Sequence, residues 1–69
     1  MKKLSKNELK ELRRDLIEDR DETLIDLLQD QEDGKPIRVI FKSNYIKLIN
    51  SLLIDIELQL ENYKIDEAS

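Results

Sequence analysis

The chain of 69 residues is short and acidic, with a net charge of −4, and it contains neither Cys nor His. These absences exclude disulfides and a zinc site built from Cys and His. A chain of this length buries only ~60% of the surface that its unfolded form exposes. Its stability must therefore come from close helix packing or from association with another chain.

The composition favours a helical protein. One Gly and one Pro leave few helix breakers, and a hydrophobic content of 39% argues against disorder although 41% of the residues are charged. The modest negative charge argues against extensive DNA binding, because acidic side chains and phosphates repel each other.

The first helix has a clear start signal at Ser5. Ser5 and Glu8 have the spacing of a capping box, in which each side chain bonds to the backbone N–H of the other residue. Leu4 and Leu9 occupy the two positions of a hydrophobic staple. The sequence therefore predicts that the first helix begins at residue 5.

The end of the first helix is marked by Gly34 and Pro36. Glycine can adopt the left-handed conformation that ends a helix, and a proline two residues later cannot continue it. Asp30, Glu32 and Asp33 lie at the negative end of the helix dipole, so we expect the last turn to fray. The apolar face of this helix contains Leu9, Leu12, Leu16, Ile17, Leu24, Leu27 and Leu28.

Residues 34–43 are predicted to form a short extended connector. They are rich in β-branched side chains, and Ile37, Val39 and Phe41 fall on one side of an extended chain. The alternative is a helical turn beginning at Pro36, because proline is favoured at the first helical position.

The second helix is predicted over residues 44–64, since Ser43 or Asn44 can cap it. The tail, residues 65–69, is predicted to be disordered. The apolar seam of this helix contains Tyr45, Ile49, Leu52, Leu53, Ile56, Leu60 and Tyr63.

The predicted fold is mainly all-α. It is one small domain, residues 1–69, in which helix 5–33 packs against the second helix as an antiparallel hairpin. A helix pair meeting near Gln31 and Asn44 would place Arg20 opposite Asp55. The sequence leaves two roles open for Arg20: an ion pair with Asp55, or an apolar stem on the core with its guanidinium in water.

Ile54, Leu58 and Ile65 are the most informative residues for function. At 3.6 residues per turn they fall almost opposite the seam, so the second helix has two apolar faces and one neighbour covers only one of them. We expect this second face, with Ile25 of the first helix, to form a partner or dimer interface. Dimerisation would then give a four-helix bundle. The alternatives are cover by the connector or tail, and simple exposure.

A basic segment at residues 35–47 is a candidate nucleic-acid contact. It contains Lys35, Arg38, Lys42 and Lys47, and Phe41 and Tyr45 between them could stack on bases. The plainer interpretation is a polar loop whose lysines prevent aggregation of a strand edge.

An acidic stripe runs along the first helix. It consists of Glu8, Glu11, Asp15, Glu18, Glu22 and Asp26, at steps of three or four residues. Such a stripe is usually a solvated face. A basic partner is the main alternative, and helix carboxylates without a dedicated loop bind Ca²⁺ or Mg²⁺ poorly.

The sequence predicts no catalytic residues, no metal site and no cofactor. His and Cys are absent, and one Gly provides no phosphate-binding loop. No apolar segment long enough for a signal peptide or a membrane span occurs, so we expect a cytoplasmic protein without membrane contact. The expected function is a non-enzymatic regulator or inhibitor that binds a partner protein. The abundance of Ile, Lys and Asn suggests a phage or mobile-element origin.

Overall fold

The computed structural model describes residues 4–68, and the side chains of residues 4–64. It contains two helices, α1 over Lys6–Glu32 and α2 over Pro36–Ala68, and no strand in the described part. The two helices pack against each other along a hairpin that measures 53 × 19 × 17 Å. The predicted helical hairpin is therefore confirmed.

The start of α1 is the capping box that the sequence predicts. The Glu8 backbone N–H donates to Ser5 Oγ at 3.2 Å, and the Ser5 N–H donates to Glu8 Oε1 at 3.2 Å. Ser5 is the N-cap, and its carbonyl accepts the first helical bond from the Leu9 N–H at 2.9 Å. Leu4 packs against the apolar cluster that contains Leu9, which is the contact a hydrophobic staple requires.

The turn between the helices is a Schellman motif. Gly34 is left-handed, with φ of 68°, and its N–H donates to the Gln31 carbonyl at 3.2 Å. The Lys35 N–H donates to the Asp30 carbonyl at 3.0 Å. These two bonds satisfy carbonyls that a frayed end would leave open. The expectation that the last turn of α1 frays was wrong, because the motif closes it.

The extended connector over 34–43 was also wrong. The chain leaves the Schellman turn at Lys35 and is helical from Pro36 onwards, as in the alternative interpretation. The Val39 N–H donates to the Lys35 carbonyl at 3.1 Å, so α2 begins immediately after the turn. Proline fits the first helical position because its missing N–H has no partner there in any case. The β-branched residues that suggested a strand are carried within a long helix.

The far end of α2 also differs from the prediction. The helix was expected to end at residue 64, with a disordered tail over 65–69, but its backbone is helical through Ala68. Residue 69 lies outside the described part of the chain.

The buried core lies at the open end of the hairpin. Leu9, Ile56 and Leu60 form one cluster, and Leu4, Leu16 and Tyr63 pack against it. The Tyr63 hydroxyl donates to the Leu4 carbonyl at 2.5 Å and ties α2 to the start of the chain. Ile49 is buried nearer the middle of α2. Two residues assigned to the seam, Tyr45 and Leu52, instead remain 43% and 41% exposed.

The register of the helix pair corrects the expected pairing of Arg20. Arg13 bonds to Glu57 at 2.8 Å and Arg20 to Asn50 at 3.2 Å, so paired residue numbers sum to 70 rather than about 75. The shift follows from the turn, which is three residues long and not ten. Arg20 therefore bonds to Asn50 rather than to Asp55, which lies five residues further along α2.

Candidate protein-interaction surfaces

The two helices leave most of their large apolar side chains in solvent. Among the described residues, four hydrophobic side chains are buried, whereas twelve large ones are exposed. Single exposed apolar residues are common on proteins, but contiguous apolar patches mark interaction sites. The arrangement of these twelve on the helices therefore decides where a partner could bind.

The first patch surrounds two shallow grooves. The distal groove, of about 490 Å³, is lined on α2 by Asn50, Ile54, Leu58 and Glu61, and on α1 by Arg20. The turn groove, of about 390 Å³, is lined by Gln31 and by residues 34–36, 39 and 40. We define the groove side by its exposed apolar residues, which are Leu24, Leu28, Ile40, Ile54 and Leu58.

The predicted interface residues lie on or beside this groove side. Ile54 and Leu58 are 62% and 60% exposed, and both line the distal groove. Ile25 is exposed one helical turn from Leu28 on α1. The connector cannot fold over them, because it is part of α2. The side chain of Ile65 lies outside the described residues.

A second patch was not predicted from the sequence. Ile37, Phe41, Tyr45, Leu48 and Leu52 follow one another on α2 at steps of 4, 4, 3 and 4 residues, and they are 41–69% exposed. We call this set the stripe. It was missed because 36–43 was interpreted as extended, which separated Ile37 and Phe41 from the residues that follow. Steps of three and four residues across Pro36–Leu52 are the signal that could have revealed it.

Basic residues of the predicted nucleic-acid contact gather around one buried carboxylate. Asp30 is only 5% exposed. The Lys42 ammonium donates a hydrogen bond to Asp30 Oδ2, and an Arg38 guanidinium nitrogen lies 4.0 Å from Asp30 Oδ1. We call Asp30, Arg38 and Lys42 the Asp30 cluster. It joins the last turn of α1 to the first two turns of α2.

The electrostatics of the Asp30 cluster favour an ionised carboxylate. The hydrogen bond from Lys42 lowers the pKa of Asp30 below its ordinary value of 3.8, and the charges of Lys42, Arg38 and Lys35 lower it further, while burial acts in the opposite direction. A buried charge is costly unless it is paired, and here its partners come from the other helix. Lys42 and Arg38 thus have an intramolecular role that a phosphate would have to displace.

A second polar contact lies midway along the hairpin. The Tyr45 hydroxyl donates to Asp19 Oδ2, and this hydrogen bond, with burial and the nearby carboxylate charge, raises the pKa of Tyr45 above 10.0. Tyr45 is therefore oriented by α1 while its ring forms part of the stripe. Of the four predicted cations, Lys35 and Lys47 are exposed and lie outside the Asp30 cluster.

The acidic stripe of α1 is solvent-exposed at all six positions. Within residues 4–64, no group of three or more acidic side chains is arranged to hold a metal ion. The acidic stripe of α1 therefore provides negative charge along one side of the hairpin, without side chains arranged to hold a metal ion.

Comparisons with protein-family models, with curated proteins and with solved structures gave no match. No helix in the described part of the chain is long and apolar enough to cross a membrane.

Proposed function

We propose that this protein is a small non-enzymatic regulator or inhibitor that binds a partner protein through the stripe on α2. The observation that carries the proposal is the stripe itself: five large apolar side chains, exposed and uninterrupted by a charge, over four turns of one helix. The partner that fits it presents an apolar helix face of its own with the same spacing, as in coiled-coil packing.

The side chains of the stripe are apolar surface that the hairpin leaves in water. Burying a Leu, Ile or Phe side chain completely contributes about 1.5–3 kcal/mol, so a stripe that is still half exposed can supply several kcal/mol to association. The four buried hydrophobic residues of the hairpin form a small core for a chain of this length. A partner bound to the stripe would therefore also stabilise the folded hairpin.

The position of the stripe supports a binding role over a purely structural one. Tyr45 is held by its hydrogen bond to Asp19, and the helix that carries the stripe is anchored at the turn by the Asp30 cluster. The surface is thus presented on a helix that is held at the turn and again at Tyr45, which lowers the entropy lost on binding.

Site-specific photocrosslinking in the native host tests the proposal. A photoreactive amino acid at Phe41 or Leu48 should give one discrete adduct with a second, different protein, identified by mass spectrometry. The same group at Glu11, on the acidic stripe of α1, should give none. If the adducts at residues 41 and 48 contain only this chain, or if no adduct forms, the stripe does not bind a partner protein.

The nucleic-acid alternative has its own test. Binding to random duplex DNA would have to fall steeply with salt and to depend on Lys35 and Lys47. The engagement of Lys42 and Arg38 with Asp30 leads us to expect only weak binding.

A further inference from the structure

Both grooves lie along one side of α2. Pro36 and Ile40 line the turn groove, and Asn50, Ile54 and Leu58 line the distal groove. Within each set the residues are four apart, and Pro36 and Ile54, like Ile40 and Leu58, are eighteen residues apart, which is five whole turns. The groove side is therefore one surface running nearly the full length of α2, about a third of a turn away from the stripe.

The two halves of α2 carry opposite charges. Between Gly34 and Ile54 the chain contains Lys35, Arg38, Lys42 and Lys47 and no acidic residue. Arg38 and Lys42 are paired with Asp30, so Lys35 and Lys47 are the cations of this half that lie outside the Asp30 cluster. From residue 55 to residue 61 it contains Asp55, Glu57 and Glu61 and no basic residue. Lys35 lines the turn groove, whereas Glu57 and Glu61 line the distal groove beside Arg20 of α1, and Glu57 is paired with Arg13.

We propose that a second copy of the chain covers the groove side, with α2 of one copy antiparallel to α2 of the other. This arrangement sets the basic half of each α2 beside the acidic half of the other, whereas a parallel arrangement sets like charges together. The charge boundary, between Lys47 and Asp55, is centred on Ser51, so the two-fold axis passes near Ser51. A two-fold contact of this kind is self-complementary.

The apolar residues agree with this arrangement. Ile54 and Leu58 lie on one side of Ser51 and Ile40 on the other, so each copy presents Ile40 toward the half of its neighbour that carries Leu58. On α1, Leu24 and Leu28 lie between Arg20 and Gln31, which line the two grooves, so both helices contribute to the contact. Two hairpins joined in this way form a four-helix bundle. The proposal uses the groove side and not the stripe, so it stands independently of the proposed function.

Cysteine crosslinking tests the orientation, because the native chain has no cysteine. Ser51→Cys should give a covalent dimer under mild oxidation. Leu58→Cys should not, since residue 58 of one copy lies opposite residue 44 of the other, and the two thiols are then about 20 Å apart. Leu48→Cys, on the stripe, is the matched control and should also remain uncrosslinked.

Three other crosslinking results would overturn the proposal. A covalent dimer from Leu58→Cys means a parallel arrangement. A covalent dimer from Leu48→Cys without one from Ser51→Cys means association through the stripe. No covalent dimer from any variant means that the groove side is not covered by a second copy. Only the Leu48→Cys pattern bears on the proposed function, because a second copy on the stripe would compete with a different protein there. The other patterns leave the adduct with a different protein unaffected.

A charge exchange tests the same claim without a new covalent bond. Lys47→Glu and Asp55→Lys should each weaken the dimer by roughly fivefold, as expected for exposed ion pairs that become repulsive. The double variant should recover the wild-type dissociation constant, because the exchanged charges again face each other in the antiparallel arrangement. The antiparallel register is contradicted if neither single variant weakens the dimer. It is also contradicted if both single variants weaken the dimer and the double variant does not recover the wild-type dissociation constant.

Discussion

Different interactions join the two helices at the two ends of the hairpin. At the open end, Leu9, Ile56 and Leu60 are packed away from water with Leu4 and Tyr63 around them. At the turn end, the contacts that join the helices are the Schellman bonds and the Asp30 cluster. The open end depends on apolar burial, which changes little with pH, whereas the turn end depends on one ionised carboxylate.

This difference explains where the exposed apolar surface lies. The open end uses its apolar residues to close the hairpin on itself. The turn half of α2 closes with charged groups and leaves Ile37, Ile40 and Phe41 in solvent. The buried core is thus concentrated at the open end. Ile54 and Leu58 remain exposed beside it, so apolar surface is available for another molecule along both halves of α2.

The largest expected effect is at the open end. Leu9 is 0% exposed, so Leu9→Ala should lower the free energy of unfolding by about 2–5 kcal/mol, the usual range for a buried leucine. Leu12→Ala, one turn away on the same helix at a side chain that is 39% exposed, should cost less than half as much. Urea denaturation at one fixed protein concentration measures both. Equal losses would mean that the apolar cluster does not hold this end.

A smaller effect is expected at the cap of α1. Ser5→Ala removes one half of the capping box and should cost about 0.5–2 kcal/mol of stability. Gln59→Ala, at an exposed polar side chain of α2 outside both the groove side and the stripe, is the matched control and should leave stability unchanged or slightly higher. Helical content and the urea midpoint report the result. An unchanged midpoint for Ser5→Ala would contradict the observed cap.

The smallest effect is expected at the turn end and depends on pH. Because the native pKa of Asp30 is lowered, its contribution to stability is complete above about its ordinary value of 3.8 and is lost as the pH falls through the lower native value. Asp30→Asn should therefore be less stable than wild type at pH 7, and the difference should shrink below pH ~4. Asp26→Asn, at an exposed acid of α1, is the matched control and should leave stability at pH 7 unchanged. A difference that stays constant with pH would show that ionisation of Asp30 does not hold the turn.

The sequence predicts the two ends of α1 best because their signals are local. The capping box needs only Ser5 and Glu8, and the turn needs only Gly34 in a left-handed conformation. The sequence predicts the connector poorly because Ile37 and Val39 favour strands by intrinsic preference. Tertiary packing and the proline at the first helical position override that preference.

The partners of Asp30 could not be predicted for the same reason. A carboxylate at the end of a helix is unfavourable by local rules, and the side chains that compensate it, Arg38 and Lys42, lie on one helical face only if residues 36–43 are helical. The exposure of Ile54 and Leu58 follows more directly, since it requires only helical spacing and a single neighbouring helix. What covers that surface is a property of a second molecule, which one sequence does not contain.

Sedimentation equilibrium of the wild-type protein across the micromolar range tests the central claim most directly, namely that another copy of the chain covers apolar surface that the hairpin leaves open. We expect a species of twice the chain mass of 8.2 kDa. Replacing Ile54 and Leu58 together with Glu should weaken the dimer at least ~30-fold. A wild-type protein that sediments at the chain mass throughout this range would contradict the claim.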